Sequence, residues 1–229
     1  MSAMADPVTR ADLEALGYSV PPEGGVATRV CGAELGERKS RPKPEPLAQS
    51  IIDGMVARFP LATKDPACCP RVIGCDPSIN AAGFAEVGGP FGTVRVAEFR
   101  SREEWTTGEK VLALARFAED FVQQGFGLPT VIVEGTYFRR TGDASAEAIQ
   151  VYGEAVGAVI GALSRFEVIH VGPEWMPRIL TGPNTQKEDR WNVAQGLVER
   201  AGWQWPEGTG HEWDACCLAC AYLAQEGWL

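Results

Sequence analysis

Residues 72–87, "VIGCDPSINAAGFAEV", decide the fold expected for this 229-residue chain. Small and apolar residues of the kind that form a buried strand lead directly to a single carboxylate, Asp76. Pro77 follows at once, and a second apolar run comes after a few residues. An aspartate between a strand and a proline is commonly a turn residue. Asp76 alone therefore leaves two interpretations open, a turn and a functional site.

The pattern around this stretch predicts an α/β fold. Three neighbouring strands are expected to form an antiparallel meander, and further strands that alternate with helices are expected to add parallel neighbours. The whole is predicted to be a mixed five-stranded sheet flanked by helices. The expected strands are "RVIGCD", "GFAEVG", "TVRVAEFR", "PTVIVEGTYF" and "FEVIHVG", and the expected helices include residues 103–125, 145–165 and 211–227.

Residues 1–70 differ from the rest of the chain and are interpreted as an N-terminal extension to a domain at 71–229. The segments "PPEGG" and "RKSRPKPEP" are poor in core-forming residues, and the Pro-rich link is expected to be extended. A helix is expected over residues 46–59. The extension has one basic cluster, interpreted as a solvated linker or as a phosphate-contacting arm: Arg38, Lys39, Arg41 and Lys43.

Charge and composition limit the classes of function. The chain has a formal net charge of −9, and residues 71–229 hold most of the acidic excess. This balance argues against indiscriminate nucleic-acid binding, so any such binding has to depend on local basic patches and bound cations. No apolar run is long enough to span a membrane, and no secretory signal is visible, so an intracellular protein is expected. The cysteines of "DACCLACAYLA" are expected to be small buried residues.

A stripe of glycines runs along the helix expected at 145–165. Gly153, Gly157 and Gly161 recur every four residues and so share one face. Each glycine costs about 1 kcal/mol of helix stability relative to alanine, so something is expected to approach this face closely. Packing against the sheet and a helix–helix dimer contact are both open.

Two further segments supply polar partners for Asp76. Glu134 ends another apolar strand, so parallel pairing would bring both carboxylates to the same edge of the sheet, where ligands of open α/β sheets bind. His211 and Asp214 are three residues apart on the last helix and share a face. Such a group would repel itself without a cation, and hard oxygen ligands suit Mg²⁺ or Mn²⁺. A pair of ions roughly 3.5–4 Å apart stabilises both oxygens of a phosphodiester reaction, so the residues predict metal-dependent phosphoryl chemistry, most simply hydrolysis.

Three motifs together resemble those of RuvC-type Holliday junction resolvases, in the RNase H-like superfamily. They are "VIGCDPSINAAGFAEV", "VIVEGTYF" and "HEWDACCLACAYLA", and the similarity covers about residues 71–226. The resemblance implies an Mg²⁺-dependent endonuclease with two ions per site, for which Mn²⁺ substitutes. It implies a homodimer that nicks two strands of a four-way DNA junction symmetrically. Ala82 departs from the family pattern, which often has threonine there.

The same resemblance implies roles for individual residues. Asp76, Glu134 and Asp214 would hold the metals, and His211 would be a ligand or would orient the attacking water. Residues 78–83 are expected to form a turn that lets a DNA backbone approach. Tyr137 or Phe138 would stack on bases. Arg139 and Arg140 would contact phosphates, and the alternative for these two is a solvated loop. Lys187 and, less securely, Arg178 would lie near the scissile phosphate.

Three alternatives remain at this stage. Another RNase H-like nuclease, which cuts branched DNA or an RNA–DNA hybrid, would share the same chemistry. A non-catalytic junction-binding protein is disfavoured, because all four acidic and imidazole positions are present. An actin-like nucleotide-binding protein would need a second domain, so no nucleotide cofactor is expected. A bacterial cytoplasm or a phage-infected host cell is the expected location, and a phage-type enzyme fits the variable N-terminus.

Overall fold

The computed structural model describes residues 45–60, 64, 68–135, 146–183 and 185–229, together with two short strands nearer the N-terminus. These two, β1 (Tyr18–Ser19) and β2 (Thr28–Arg29), pair antiparallel within a compact unit, Met1–Pro42. A second compact unit, Lys43–Leu229, contains the other described elements. They are α1 (Gln49–Arg58), β3 (Arg71–Asp76), β4 (Ala81–Gly88), β5 (Thr93–Arg100), α2 (Thr107–Gln123), β6 (Thr130–Glu134), α3 (Ala146–Ala162), β7 (Glu167–Val171), α4 (Trp175–Leu180), α5 (Lys187–Arg200) and α6 (Gly210–Gln225).

The larger unit is built on one five-stranded sheet with the order β5–β4–β3–β6–β7. Strands β3, β4 and β5 pair antiparallel, as a meander of consecutive strands does. Strands β3, β6 and β7 pair in parallel, and each parallel connection passes through a helix. The predicted mixed α/β sheet is therefore confirmed.

Both faces of this sheet are covered, which explains why its central strands are apolar throughout. Successive side chains of a strand point to opposite faces. Val72 and Ala85 accordingly belong to a core shared with α5 and α6. Ile73 and Phe84, each one residue away, belong to a second core shared with α2 and α3.

Helix α6 lies unusually close to the sheet, because two strands present glycine to it. A Cβ atom on Gly74 of β3 would overlap the carbonyl oxygen of Ala215, and one on Gly83 of β4 would overlap that of His211. Gly83 was expected in a turn open to DNA. That expectation is wrong, because Gly83 is paired with Asp76 inside β4 and the first turn of α6 covers it.

Helix α1, which lies in the segment assigned by composition to the extension, packs on α5. The Arg200 guanidinium donates to the carbonyl oxygens of Val56 and Phe59 at 2.8 and 3.0 Å. Asp189, 1% exposed, accepts the backbone N–H of Leu47 at 2.9 Å. Residues 47–59 thus support the helix that begins at Lys187, and the domain boundary at residue 70 stays a prediction.

The cysteines of α6 fill the core, as expected. Cys216, Cys217 and Cys220 are fully buried, and burial raises the pKa of the Cys216 and Cys217 thiols well above the usual range. These two side chains are therefore protonated and pack as small apolar groups. No helix within the described ranges is long and apolar enough to cross a membrane.

The glycine stripe on α3 faces away from the sheet. Gly153, Gly157 and Gly161 are exposed, and a Cβ on any of them would meet no heavy atom of the described part of the chain within 4 Å. Packing of this stripe on the sheet, one of the two interpretations of the sequence, is therefore wrong. The other interpretation, a contact between helices of two chains, stays a prediction.

We expect Gly74→Ala to destabilise the protein by about 3 kcal/mol, the upper end of what overpacked core positions lose, because α6 has to move away from the sheet. The matched control is Gly54→Ala on α1, where a Cβ meets no described residue within 4 Å. That variant should gain about 0.5–1 kcal/mol from its better helix propensity. Urea denaturation followed by circular dichroism measures both changes. Equal stability of Gly74→Ala and the parent would contradict the close packing of α6.

Candidate active site

Two carboxylates meet at the edge of the sheet where β3 and β6 end. The strands are parallel neighbours, and Cys75 pairs with Val133. Asp76 and Glu134 are the next residues of the two strands, so they leave the sheet side by side. The predicted parallel pairing is confirmed, and its consequence is a pair of acidic groups at one strand edge.

The first turn of α6 brings the third carboxylate to this edge. Since Gly83 is the antiparallel partner of Asp76 and touches the His211 backbone, the start of α6 lies over the end of β3. The Nδ1 atom of His211 is 3.4 Å from Oδ2 of Asp76. Asp214, one turn further along the helix, is only 4% exposed.

Helix α5 supplies two partners for Asp214. Lys187 Nζ donates to Asp214 Oδ2 in a close ion pair. Trp191 Nε1 donates to Asp214 Oδ1 at 3.0 Å. The start of α5 is itself held by Asp189, whose Oδ2 accepts the backbone N–H of Gln186 at 2.9 Å.

Burial first, and neighbouring negative charge second, raise the pKa values of Glu134 and Asp76. Burial raises the pKa of Glu134 to about 7, the charges of Asp76 and Asp214 add to this, and Lys187 and Arg190 oppose it. Burial also raises the pKa of Asp76; Asp214 adds to this and His211 opposes it. The fold thus holds Asp76 and Glu134 where burial and neighbouring carboxylates both favour the protonated form.

Lys187 and Tyr152 respond to the same charges. Burial acts to lower the pKa of Lys187, but the contact with Asp214 and the charges of Asp76 and Glu134 outweigh it and raise the pKa. Burial raises the pKa of the Tyr152 hydroxyl, and Asp76 and Glu134 add to the shift. At neutral pH the lysine is therefore a cation and the tyrosine is neutral.

The carboxylates line an open cavity of about 700 Å³ with both acidic and basic walls. Arg178 lies at its rim, where its side chain is 70% exposed and pairs with Glu174 at 2.9 Å. Arg190 lies deeper, and its Nε atom is buried with no hydrogen-bond partner among the residues that the structure describes. The remaining walls come from α4 and the loops on either side of it: Pro173, Glu174, Met176, Pro177, Pro183 and Thr185.

The structure brings together five of the residues predicted from the sequence and describes a sixth at the rim. The five are Asp76, Glu134, His211, Asp214 and Lys187, and the sixth is Arg178. Four predicted DNA contacts lie outside the described residues: Tyr137, Phe138, Arg139 and Arg140. The catalytic and binding roles of all ten stay predictions.

Three further residues at the site were not predicted. Trp191 and Arg190 follow Lys187 by four and three residues, so the helical spacing from Lys187 could have indicated both. Tyr152 carries no such signal, because its place near Asp76 depends on how α3 crosses the sheet.

The donor chemistry of the cavity fits a hard divalent cation, although its side chains are not gathered around a point. No group of three or more His, Cys, Asp or Glu side chains in the described part of the chain is arranged to hold a metal ion. Carboxylate oxygens are nevertheless the ligands that Mg²⁺ and Mn²⁺ prefer. Burial and the charges of Asp76 and Asp214 raise the pKa of Glu134 to about 7, and a cation bound beside it would favour its ionised form.

Comparison with solved structures identifies the fold. RuvC of Thermus thermophilus in complex with a Holliday junction substrate aligns with a TM-score of 0.55 and 21% identity, over 69% of this chain and 97% of that one. A second Thermus thermophilus RuvC structure aligns with a TM-score of 0.53 and 23% identity, over 69% and 96%. The yeast mitochondrial Holliday junction resolvase gives 0.45 and 11%, over 79% and 86%. No protein-family model and no curated protein matches the sequence.

This chain therefore has the fold of RuvC. The resemblance suspected from three sequence motifs is confirmed at this level, and the alignment spans nearly the whole length of RuvC.

We expect Glu134→Gln to stabilise the protein at pH 8 in EDTA. The pKa of Glu134 is about 7 in the folded protein and 4.5 ordinarily. The parent therefore has its full free energy of unfolding below pH 4.5 and loses part of it as the pH rises through 7 and Glu134 ionises. The loss corresponds to about 3 kcal/mol, and glutamine avoids it. Urea denaturation should therefore show the variant ahead at pH 8 and level with the parent near pH 4.5. Glu103→Gln, an exposed loop control, should change neither value, and an equal gain for Glu134→Gln at both pH values would contradict the assignment.

Proposed function

We propose that this chain is a structure-selective endodeoxyribonuclease that resolves four-way DNA junctions by symmetric paired nicks. The observation that carries the proposal is the convergence of Asp76, Glu134 and Asp214, from β3, β6 and α6, beside Lys187 in one open cavity. The fold supports it, since a structure of RuvC with the same fold contains a Holliday junction substrate. A junction-cleaving enzyme of this kind would act in the cytoplasm of a bacterium or of a phage-infected host.

The three carboxylates would hold two Mg²⁺ ions, with Mn²⁺ as a substitute. Such ions supply Lewis-acid stabilisation of the attacking and leaving oxygens of a phosphodiester. Asp76 and Glu134 would face them from the strand ends, and Asp214 would face them from α6. His211, beside Asp76 and half exposed, would be a further ligand or would orient the attacking water.

Basic residues of the same cavity would bind the scissile strand. Lys187 is a cation at neutral pH, and its ammonium is within reach of the carboxylates, so it would contact the phosphate under attack. Arg190, deeper in the cavity, and Arg178, at its rim, extend the basic wall. Because the chain carries a net charge of −9, we expect DNA binding to depend strongly on divalent ions.

The segment that follows Glu134 would contact DNA near the crossover. Tyr137 or Phe138 would stack on an opened base, an interaction worth about 1–3 kcal/mol. Arg139 and Arg140 would bind nearby phosphates.

Symmetric nicking needs two active sites, and the glycine stripe of α3 is the proposed dimer contact. Helices approach closely where small residues line their facing surfaces. The exposed stripe has no described neighbour within 4 Å of its Cβ positions, so a second copy of the helix would have room to pack there.

Cleavage of synthetic DNA substrates tests the activity. We expect paired symmetric nicks in mobile and immobile four-way junctions with Mg²⁺, no cleavage in EDTA, and much slower cleavage of a flap or an RNA–DNA hybrid. Asp76→Asn and Glu134→Gln should lower the nicking rate by at least about 100-fold, since a lost ligand removes charge stabilisation in the transition state.

Both variants should still bind the junction, which an electrophoretic shift in Ca²⁺ measures. Asp53→Asn, an exposed change on α1, serves as the control and should cut at the parental rate. Preferential cleavage of the hybrid would favour a different RNase H-like nuclease. Unchanged nicking by Asp76→Asn would remove the active-site assignment.

Gly157→Glu should convert the proposed dimer to a monomer, because a charged side chain would fill the stripe and repel its copy. Analytical ultracentrifugation measures the mass, with Gly54→Glu on α1 as a control that should remain dimeric. A monomeric parent, or a dimeric Gly157→Glu variant, would contradict this contact.

A further inference from the structure

Asp214 is nearly buried, and its two oxygens have different partners. Its residue exposure is 4%. Oδ2 accepts from Lys187, a flexible ammonium whose side chain is 56% exposed. Oδ1 accepts from the indole N–H of Trp191 at 3.0 Å. One oxygen therefore has a mobile, charged partner and the other a rigid, neutral one.

The Trp191 ring is fixed in place by its surroundings. Trp191 lies four residues after Lys187, so both side chains project from one face of α5 toward α6. Its ring packs edge-on against Trp213, with 5.1 Å between centroids and 67° between planes. Gly210, the first residue of α6, lies beside the ring, and a Cβ there would be in ordinary contact, 3.5 Å from Trp191 Cζ2 and Cη2.

We infer that Trp191 is a positioning residue that holds Oδ1 of Asp214 so that Oδ2 is presented to the cavity. The inference rests on the proposed function, in which Asp214 binds a divalent cation. An indole nitrogen only donates and has one hydrogen to give, so this contact selects a single orientation of the carboxylate. Because the donor is neutral, this contact places no charge against Oδ1, and a divalent cation at Oδ2 would take the place that the Lys187 ammonium occupies in this structure.

The same contact connects two helices at the site. Asp214 belongs to α6 and Trp191 to α5, so the hydrogen bond fixes the register between the helix that holds the carboxylate and the helix that holds Lys187. Partners of this kind, one shell outside the metal, typically change metal affinity or activity by about 10–100-fold when removed.

The test is binding of Mn²⁺ alone to the full chain, measured by titration calorimetry. Trp191→Phe keeps an aromatic ring against Trp213 and removes the N–H. We expect its Kd for Mn²⁺ to rise about 10-fold or more. Trp213→Phe is the matched control, since it also loses an indole N–H, donated to the Pro206 carbonyl at 3.3 Å rather than to Asp214. Its Kd should stay within about twofold of the parental Kd, because the Trp213 N–H does not contact the proposed metal ligand Asp214.

Asp214→Asn separates failure of the inference from failure of the proposed function. If Asp214→Asn binds Mn²⁺ as tightly as the parent, the metal role of Asp214 is wrong and the proposed function loses its third ligand. If Asp214→Asn binds weakly while Trp191→Phe binds like the parent, the inference alone is overturned. Equal weakening by Trp191→Phe and Trp213→Phe would also overturn it, because the effect would then come from ring packing.

A second variant covers the case in which Trp191→Phe does not fold. Benzothienylalanine at position 191 has the shape of tryptophan with sulfur in place of the N–H. It should fold like the parent and bind Mn²⁺ as weakly as expected for Trp191→Phe. Parental affinity in this variant would overturn the inference.

Discussion

The close approach of α6 to the sheet is the constraint on which the site depends. Two strand positions without side chains, Gly74 and Gly83, let the helix backbone rest directly on β3 and β4. This brings the first turn of α6 over the end of β3, so His211 reaches Asp76 and Asp214 reaches the cavity. A bulkier residue at either position would push α6 away from the sheet. The acidic groups would then be separated although none of them had been changed.

The second layer of the site follows from the first. Once α6 is seated, α5 packs against it and directs Lys187 and Trp191 at the two oxygens of Asp214. Helix α5 is held in turn by α1, through Arg200 and Asp189. Residues 47–59 therefore support the cavity wall, although none of their side chains is among those that line the cavity.

Local pattern and chain topology were enough to predict much of this from the sequence. Apolar strands that end in Asp76 and Glu134, with a helix between them, predict parallel pairing and hence a shared edge, and the spacing of His211 and Asp214 predicts a shared helix face. The neighbour of Gly83 could not be predicted in this way, because glycine has no side chain whose polarity indicates what packs against it. Composition likewise could not indicate that α1 packs on α5, since the partners of Arg200 are backbone carbonyls.

Charge is balanced at one end of the sheet and unbalanced at the other. At the far end of β4, Glu86 accepts from Arg71 at 3.0 Å and from Arg95 at 2.7 Å. Burial acts to raise the pKa of Glu86, but the two arginines outweigh it and lower the pKa.

At the opposite edge of the same sheet, Lys187 is the cation that pairs with Asp214, and the pKa of Glu134 nevertheless rises to about 7. This fold evidently neutralises a buried carboxylate where the role is structural. An acidic excess in an open cavity is costly to keep, and a bound cation is the simplest way to offset that cost. A cation held by these carboxylates, as proposed above, would offset both the burial and the neighbouring charges that raise the pKa of Glu134.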